Sequence, residues 1–410
     1  MSTQRRPPRR VCLFVPTKKT KAALALVAAS LAALSACTSQ TPATAPNPAT
    51  STTPPPVASV TISDNNATAL NPRTPVVVTA ANGKLTKVTV TNTAKGNAVG
   101  GTLSADGTRW TSNEPLGYGA TYSVVADATG TDGKPVEQNG TLHTLTPAAQ
   151  AYPAMTPAPP GAGATFGVGQ IIGVSFDHAV TDRAAVEKAL KVTTNPPQQG
   201  SWHWIDNKTV HYRPPTYWQA GTTITLAADL YGVDLGGGVY GQTDRSVTYR
   251  IHDSWIAKAD GNTEQMQILH NGTQVGSMPI SIGKDSTPTH VGPHVISDKQ
   301  QQVVMDSCTY GLCPPAPGAY RSTEYWAERI SNDGEFVHEN PNTVGEQGSS
   351  NVSHGCINLS PENAQAFFGQ FGLGDVVEVT NSGGPQLPIY DTYGDWELSW
   401  SQWQAGSALH

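Results

Sequence analysis

A short run near the end of the chain combines the residue types that thiol catalysis needs. It extends from Ser353 to Asn358 with the sequence SHGCIN, and a further histidine, His338, precedes it. A cysteine nucleophile requires an imidazole to deprotonate it, and a neighbouring glycine lets a substrate approach the backbone. If the run is a strand, alternate side chains share a face, so His354, Cys356 and Asn358 point together. The segment is therefore predicted to present a reactive thiol.

Three chemistries are open to His338, His354 and Cys356. Nucleophilic catalysis is favoured by the residues that flank the thiol and by the loop after His338, which is long enough to return the chain beside it. A zinc site would need a fourth ligand or water, and its ligand pairs usually have tighter spacing. The third alternative is a structural role, with Cys356 as an inert buried thiol.

The N-terminal segment has the pattern of a lipoprotein signal. Basic residues lie between Arg5 and Lys21, an apolar stretch ends at Leu34, and the sequence Leu-Ser-Ala precedes Cys37. The apolar stretch is too short to span a membrane as a mature helix and fits a signal peptide. We expect residues 1–36 to be removed and Cys37 to carry the lipid that holds the protein at the outer face of the cell membrane, facing the cell wall. A simple secretory signal with a chance cysteine is the alternative.

The balance of acidic and basic residues limits which molecules the protein can be expected to bind. The chain has 25 Lys and Arg against 31 Asp and Glu, and seven of the basic but none of the acidic residues lie in 1–36. The mature chain would therefore carry 18 basic and 31 acidic residues, a balance that disfavours nucleic acid as a partner. Charged residues make up only 14% of the chain, and 40 glycines and 32 prolines suit an exported β-rich protein.

The cysteine count assigns the thiols that remain after processing. Cys12 leaves with the signal, and Cys37 takes the lipid. Outside the cell, oxidising conditions favour a disulfide between Cys308 and Cys313, which are five positions apart in one loop, and leave Cys356 as the free thiol. Two unpaired loop thiols are the alternative.

Two similar blocks precede the thiol region. Residues 37–57 are rich in Thr, Pro and Ala and predict an extended linker. Blocks 58–149 and 150–251 show alternating polar and apolar residues between turn signals. The segment GATYSVVAD at Gly119 and the segment GTTITLAAD at Gly221 begin 102 positions apart, which indicates a duplicated module. Each block is long enough for about seven strands, and both are predicted to be immunoglobulin-like β-sandwiches.

The third block, 252–380, is also predicted to be β-rich. Strands are expected at Met266–Leu269 and Val376–Val379. A short helix is expected over 360–369, where Ser360 provides the N-cap and Pro361 the first helical residue.

Aromatic residues suggest how the tail and the second block pack. The tail, 381–410, places three tryptophans at i, i+4 and i+7, which predicts one helical stripe that packs on a neighbouring domain. Those residues are Trp396, Trp400 and Trp403. In the second block, an aromatic group favours core packing or a domain contact, with a glycan-binding surface as the alternative. That group contains Trp202, Trp204, Tyr212, Tyr217 and Trp218.

The spacing of His338 from the SHGCIN run resembles the signature of the L,D-transpeptidase catalytic (YkuD) domain family. The resemblance covers the whole third block, because Gly283 and the PTHVG stretch from Pro288 to Gly292 are similar to the family's early motif. The lipoprotein signal, the two immunoglobulin-like domains and the Trp-rich tail resemble the mycobacterial members. The fold class is thus predicted to be mainly β, with two immunoglobulin-like β-sandwiches, a YkuD-type catalytic domain and a Trp-rich C-terminal tail.

The resemblance implies roles by position. Cys356 matches the family's nucleophile and His338 its base, and the backbone carbonyl of Glu339 would orient the imidazole. Gly355 and Cys356 match positions whose N–H groups form the oxyanion hole, and His354 would order the site. Glu339 stands where mycobacterial relatives often have serine, and its carboxylate would raise the pKa of the imidazole.

The resemblance also implies a substrate-covering flap over residues 306–325. The Cys308–Cys313 pair in this flap is not part of the family pattern. The predicted substrate-binding residues are Tyr320 near the oxyanion, Tyr310 in the flap, Met305 and Trp326 along the donor groove, and Ser353 and Asn358 beside the thiol.

The activity implied by the resemblance is peptidoglycan cross-linking without metal or cofactor. The donor is a tetrapeptide stem, its terminal D-Ala is released through a cysteine thioester, and a neighbouring stem's amine forms a 3→3 cross-link. Carbapenem-type β-lactams are the implied inhibitors. Two alternatives remain open: an L,D-carboxypeptidase that uses water as the acceptor, and an inactive wall-binding scaffold.

Overall fold

The computed structural model describes residues 56–161 and 163–409. The predicted signal peptide, the lipid-bearing Cys37 and nearly all of the linker lie outside the described residues. Among the residues described, no helix is long and apolar enough to cross a membrane. The prediction of a mainly β fold is confirmed.

The first domain is a two-sheet sandwich. Its strands are β1 (Ser59–Ile62), β2 (Val77–Ala81), β3 (Gly83–Asn92), β4 (Gly101–Leu103), β5 (Arg109–Ser112), β6 (Thr121–Gly130) and β7 (Pro135–His143). One sheet has the order β1-β2-β5-β4 and the other β3-β6-β7. The alternation predicted for β6 is present, because Tyr122, Val124, Ala126 and Ala128 are buried in the core between the sheets.

The second domain repeats this plan with additions. Its elements are β8 (Ala149–Ala151), β9 (Pro153–Thr156), β10 (Ile172–Phe176), α1 (Arg183–Ala189), β11 (Leu190–Asn195), β12 (Ser201–Trp204), β13 (Thr209–Arg213), β14 (Thr223–Ala228), β15 (Asp234–Gly236), β16 (Val239–Gly241) and β17 (Arg245–Arg250). Its main sheets are β9-β10-β13-β12 and β11-β14-β17, and β15-β16-β8 form a small third sheet. The two repeated sequence segments fall on β6 and β14, the central strands of equivalent three-stranded sheets.

The aromatic group of the second domain belongs to its core. Trp202, Trp204, Tyr212 and Trp218 are all less than a tenth exposed, and Tyr217 packs against the same core. Packing therefore accounts for these rings, and they do not form an exposed glycan-binding surface.

The third block builds two sheets around one core. Its elements are β18 (Trp255–Asp260), β19 (Gln265–His270), β20 (Thr273–Pro279), β21 (Gly292–Val295), β22 (Asp298–Asp306), β23 (Arg321–Arg329), β24 (Phe336–Glu339), β25 (Ile357–Leu359), α2 (Pro361–Gln370) and β26 (Val376–Thr380). The sheets are β20-β19-β18-β26-β21 and β22-β23-β24-β25. Helix α2 begins where the sequence predicts, because the Ser360 hydroxyl accepts the Asn363 N–H and Pro361 needs no amide partner.

The tail differs from the single stripe that the sequence predicts. Trp396 lies in a 3-10 turn, whereas α3 (Trp400–Gln404) begins after Ser399 caps it. The three tryptophan rings nevertheless converge on buried Arg213, whose guanidinium carbon lies 4.8, 5.8 and 4.5 Å from the rings of Trp396, Trp400 and Trp403. A buried cation attracts aromatic faces, so the tail is fixed to the second domain by Arg213 and not by a continuous helix.

Candidate active site

Two adjacent strands bring His338 and Cys356 together. Strands β24 and β25 are parallel, with His338 opposite Asn358, and Cys356 immediately precedes β25. The side chains of His338, Cys356 and Asn358 all border one cavity. His338 and Cys356 are 4% and 8% exposed, and the interaction with Cys356 helps to raise the pKa of His338.

The run before Cys356 is not a strand, which corrects the sequence-based expectation. Gly355 has φ +121°, a conformation that side-chain-bearing residues rarely adopt, and pairing with β24 begins only at Ile357. The Ser353 hydroxyl donates to the Cys356 carbonyl at 2.6 Å and accepts the Gly355 N–H at 3.1 Å. The thiol is therefore presented by a tight turn that Ser353 closes.

The early PTHVG motif positions this turn. Thr289 is fully buried, and its hydroxyl donates to the Gly355 carbonyl at 2.7 Å and accepts the Gly283 N–H at 2.9 Å. A Cβ on Gly283 would lie 2.3 Å from the Thr287 carbonyl oxygen, so no larger residue fits there. The two parts of the sequence signature thus meet behind Cys356, a contact that the sequence alone did not indicate.

The imidazole of His338 is oriented through its backbone neighbour. Its Nδ1 donates to the Glu339 carbonyl oxygen at 2.7 Å, as the resemblance implied. Because Nδ1 makes this contact, Nε2 is the ring nitrogen available to exchange a proton with the Cys356 thiol. The Glu339 carboxylate is not among the groups that perturb the pKa of His338.

Glu324 is the functional candidate that sequence reasoning missed. It lies on β23, and its Oε2 is 3.5 Å from His338 Nδ1, with the side chain 14% exposed. Burial opposes the charged ring, but contacts with Cys356 and Glu324 raise the pKa of His338 to about 10. Burial would raise the pKa of Glu324, yet hydrogen bonds from His338 and Ser322 lower it overall. The site therefore favours an imidazolium held by a carboxylate, the state that stabilises a thiolate.

A cavity of about 270 Å³ opens above the thiol. Its walls include both reactive side chains and most of the predicted substrate-binding residues. They are Met305, Tyr320, Ser322, Glu324, His338, Asn340, Thr343, Val352, Ser353, His354, Cys356 and Asn358. Met305 and Tyr320 also border a second cavity of about 240 Å³ on their other side.

The remaining predicted residues are placed as follows. His354 Nε2 lies 3.1 Å from Lys284 Nζ, and burial together with Lys284 lowers the pKa of His354. Asn358 donates to the Thr343 hydroxyl at 3.2 Å. Trp326 is not one of the described residues that line the cavity, although it was predicted to lie along the donor groove. Its ring packs on Phe368 instead, with 5.5 Å between the ring centroids.

One predicted oxyanion donor is engaged in this state. The Gly355 N–H is bonded to the Ser353 hydroxyl, so a substrate oxyanion would compete with that hydroxyl for it. The Cys356 N–H and the phenol of Tyr320, which borders the cavity, are the other candidates.

The flap is closed by its own contacts. Ser307 is fully buried, and its hydroxyl donates to the Leu312 carbonyl at 2.6 Å and accepts the Tyr320 N–H at 2.8 Å. Cys308 and Cys313 form a disulfide, and Cys356 is the free thiol of the described chain. Tyr310 ends the flap's 3-10 helix, and its side chain lies outside the described part of the structure.

Comparisons with known proteins identify the families that two parts of the chain match. The family model of the L,D-transpeptidase catalytic domain matches residues 254–379, and the model of the bacterial Ig domain matches residues 67–234. L,D-transpeptidase 2 of Mycobacterium tuberculosis (strain CDC 1551 / Oshkosh) is 45% identical over 334 residues, which cover 82% of this chain and 81% of that protein. L,D-transpeptidase 5 of M. tuberculosis (strain ATCC 25618 / H37Rv) is 38% identical over 87% of this chain and 78% of its own.

Solved structures match more than half of the chain. A structure of the L,D-transpeptidase LdtMt1 in complex with imipenem is 32% identical and covers 57% of this chain and all of that one, with a TM-score of 0.49.

Proposed function

Since the chain belongs to the L,D-transpeptidase family, we propose that it cross-links peptidoglycan through a thioester on Cys356. One observation carries the proposal: the free thiol of Cys356 and the imidazole of His338 line the same cavity, and the ring is held by the Glu339 carbonyl and Glu324. Nucleophile, base and orienting group are the three parts that covalent acyl transfer requires.

The first half-reaction transfers an acyl group from nitrogen to sulfur. The Cys356 thiolate attacks the carbonyl between the third residue of a tetrapeptide stem and its terminal D-Ala. The C–S bond forms, the amide C–N bond breaks, and the imidazolium of His338 gives its proton to the departing amine. An oxyanion donor in such a site contributes about 3 kcal/mol.

The second half-reaction forms the cross-link. The side-chain amine of a neighbouring stem attacks the thioester and loses a proton to His338, while the sulfur leaves as the thiolate. The energy of the first amide is conserved in the thioester, so no nucleotide is needed outside the membrane. The product is a 3→3 cross-link.

The flap determines which acceptor reaches the thioester. Tyr320 ends the closed flap and borders the cavity beside Cys356. An acceptor amine succeeds only if water is excluded while the thioester lasts. If water enters first, the same acyl-enzyme gives an L,D-carboxypeptidase.

Carbapenem-type β-lactams are expected to acylate the same thiol. Their strained amide resembles the donor bond, and they would enter the same cavity as the stem. A carboxylate-bearing drug would also meet the imidazolium of His338, a favourable charge contact.

The proposed location is the outer face of the cell membrane. The basic and apolar N-terminal segment and the Leu-Ser-Ala-Cys37 sequence support cleavage and lipidation. The linker that follows Cys37 would let the folded domains reach the wall.

Reaction of the full-length protein with a disaccharide-tetrapeptide tests the function. Mass spectrometry of the products should show the 3→3 dimer and free D-Ala with the wild type, and neither with Cys356→Ala at equal folded content. Tripeptide and D-Ala without dimer would assign the chain as a carboxypeptidase. No turnover by folded wild-type protein would contradict both enzyme activities.

A further inference from the structure

A second group of chemistry-bearing side chains lies behind the catalytic turn. It consists of His290, His294, Asp333 and Glu335 and is called the histidine–carboxylate cluster below. His290 Nδ1 lies 3.1 Å from Glu335 Oε1 and 3.7 Å from Asp333 Oδ2. His294 Nε2 lies 3.4 Å from Glu335 Oε2. None of these residues has a part in the acyl transfer described above.

The spacing within the cluster fits one small ion. Ligand atoms held at ~2.0–2.1 Å by a tetrahedral zinc ion lie about 3.3 Å apart. One ligand atom from each of His290, Asp333 and Glu335 lies within 4.8 Å of the others. Small side-chain movements would therefore bring all three into coordination distance.

Two buried atoms of the cluster lack hydrogen-bond partners. His294 is fully buried, and its Nδ1 donates to the Gly292 carbonyl at 3.0 Å, which leaves Nε2 facing the cluster. Nε2 faces Glu335 Oε2, and neither atom has a hydrogen-bond partner among the described residues. A neutral ring would place a lone pair opposite a carboxylate oxygen, which is unfavourable unless positive charge lies on the ring or on an ion beside it.

The surroundings add negative charge. The Asp391 carboxylate accepts the N–H of Asn332, the residue that precedes Asp333. Glu397 lies against Gly292, where an added Cβ would be 1.8 Å from its Oε1. Among the described residues, no Lys or Arg forms an ion pair with these carboxylates.

The cluster is accessible from solvent. Asp333 is half exposed and borders the second cavity, which Met305 and Tyr320 separate from the substrate cavity. Gly334 lies between Asp333 and Glu335 in the sequence, and its carbonyl oxygen accepts a hydrogen bond from the Cys356 thiol at 3.6 Å. An ion bound by Asp333 and Glu335 would therefore lie next to Gly334, whose carbonyl accepts the hydrogen bond from the Cys356 thiol.

From this geometry we infer that the cluster binds a divalent transition-metal ion of the zinc class. His290, Asp333 and Glu335 are the ligands, and a fourth position opens toward the second cavity. His294 contacts the other oxygen of Glu335 and orients that carboxylate, as outer-sphere histidine–carboxylate pairs do at metal sites. Mixed nitrogen and oxygen ligands favour zinc or cobalt over calcium or magnesium.

Cobalt titration of metal-stripped, untagged full-length protein tests the inference. The titration uses the Cys356→Ala background, so that the catalytic thiol cannot contribute a ligand or a false signal. One Co²⁺ per chain should bind and give a visible absorption band typical of a cobalt ion with a low coordination number. Zn²⁺ should displace the cobalt. His290→Gln and Asp333→Asn should each weaken binding by at least about tenfold, the lower end of losses seen even for outer-sphere changes.

His270→Gln is the matched control. His270 forms a close histidine–carboxylate contact with Asp253 elsewhere in the catalytic domain, and His252 also contacts Asp253. This variant should bind cobalt as the background protein does. The inference is wrong if no stoichiometric binding occurs, or if His270→Gln abolishes it while His290→Gln and Asp333→Asn do not. Neither result bears on the transpeptidase reaction, which is measured separately.

Discussion

Replacing Glu324 with glutamine tests how the catalytic imidazole is charged. The change keeps the size of the side chain and removes its negative charge 3.5 Å from His338 Nδ1. The Glu339 carbonyl, which orients the ring at 2.7 Å, is untouched. The variant therefore separates the charge on the ring from its position.

The expected magnitude follows from the contact. A hydrogen bond to a charged group contributes about 1.5–3 kcal/mol, and about 1.4 kcal/mol corresponds to one pKa unit. Neutralising Glu324 should therefore lower the pKa of His338 by roughly one to two units from its value of about 10. Since the imidazolium must protonate the departing nitrogen, the rate of acylation will begin to fall at a correspondingly lower pH.

The assay is the rate of Cys356 acylation by a carbapenem across pH 6 to 11, followed by loss of drug absorbance. The wild-type rate should be maintained to near pH 10, whereas the rate of Glu324→Gln should decline roughly one to two units earlier. Glu339→Gln is the discriminating variant, because its backbone carbonyl remains and its carboxylate does not perturb the ring. Superimposable alkaline limbs for wild type and Glu324→Gln, or a shift with Glu339→Gln alone, would refute the reasoning.

Three further predictions follow from the same contacts. His338 has a pKa raised from 6.5 to about 10, so its contribution to stability is complete below pH 6.5 and is lost as pH rises toward 10. The free energy of unfolding of the wild type minus that of His338→Gln should therefore fall across this range. A constant difference would contradict the prediction. Gly355→Ala places a Cβ at φ +121° and 3.4 Å from Glu335 Oε1, so acylation should drop by more than tenfold while the fold persists; normal acylation would show that the turn tolerates a side chain. Arg213→Met removes the cation that three tryptophan rings share, so tryptophan emission should shift to the red and the midpoint of urea unfolding should fall; unchanged emission would mean that the tail docks without Arg213.

Much of the fold could be predicted because its signals are local. Alternation of polar and apolar residues locates β6 and β14, and a serine followed by proline locates the start of α2. The tail could not be predicted in the same way, because Trp396 and Trp400 lie in two separate turns whose rings both contact Arg213. That arrangement depends on a buried cation from another domain.

The site shows the same division between local and long-range information. The motif gives the residue types and their order, so Cys356 and His338 could be selected from the sequence. It does not show that Gly355 turns the chain before β25, because a strand and a tight turn are both compatible with SHGCIN. Glu324 carried no sequence signal, since its carboxylate reaches His338 from a different strand.

The central claim is that Cys356 is the acylated nucleophile. Intact mass spectrometry of the full-length protein with a carbapenem, wild type beside Cys356→Ala, tests it most directly. The account predicts one drug mass added to each wild-type chain, under reducing and non-reducing conditions, and none added to the variant. An unmodified but folded wild type, or an equal adduct on Cys356→Ala, would contradict it.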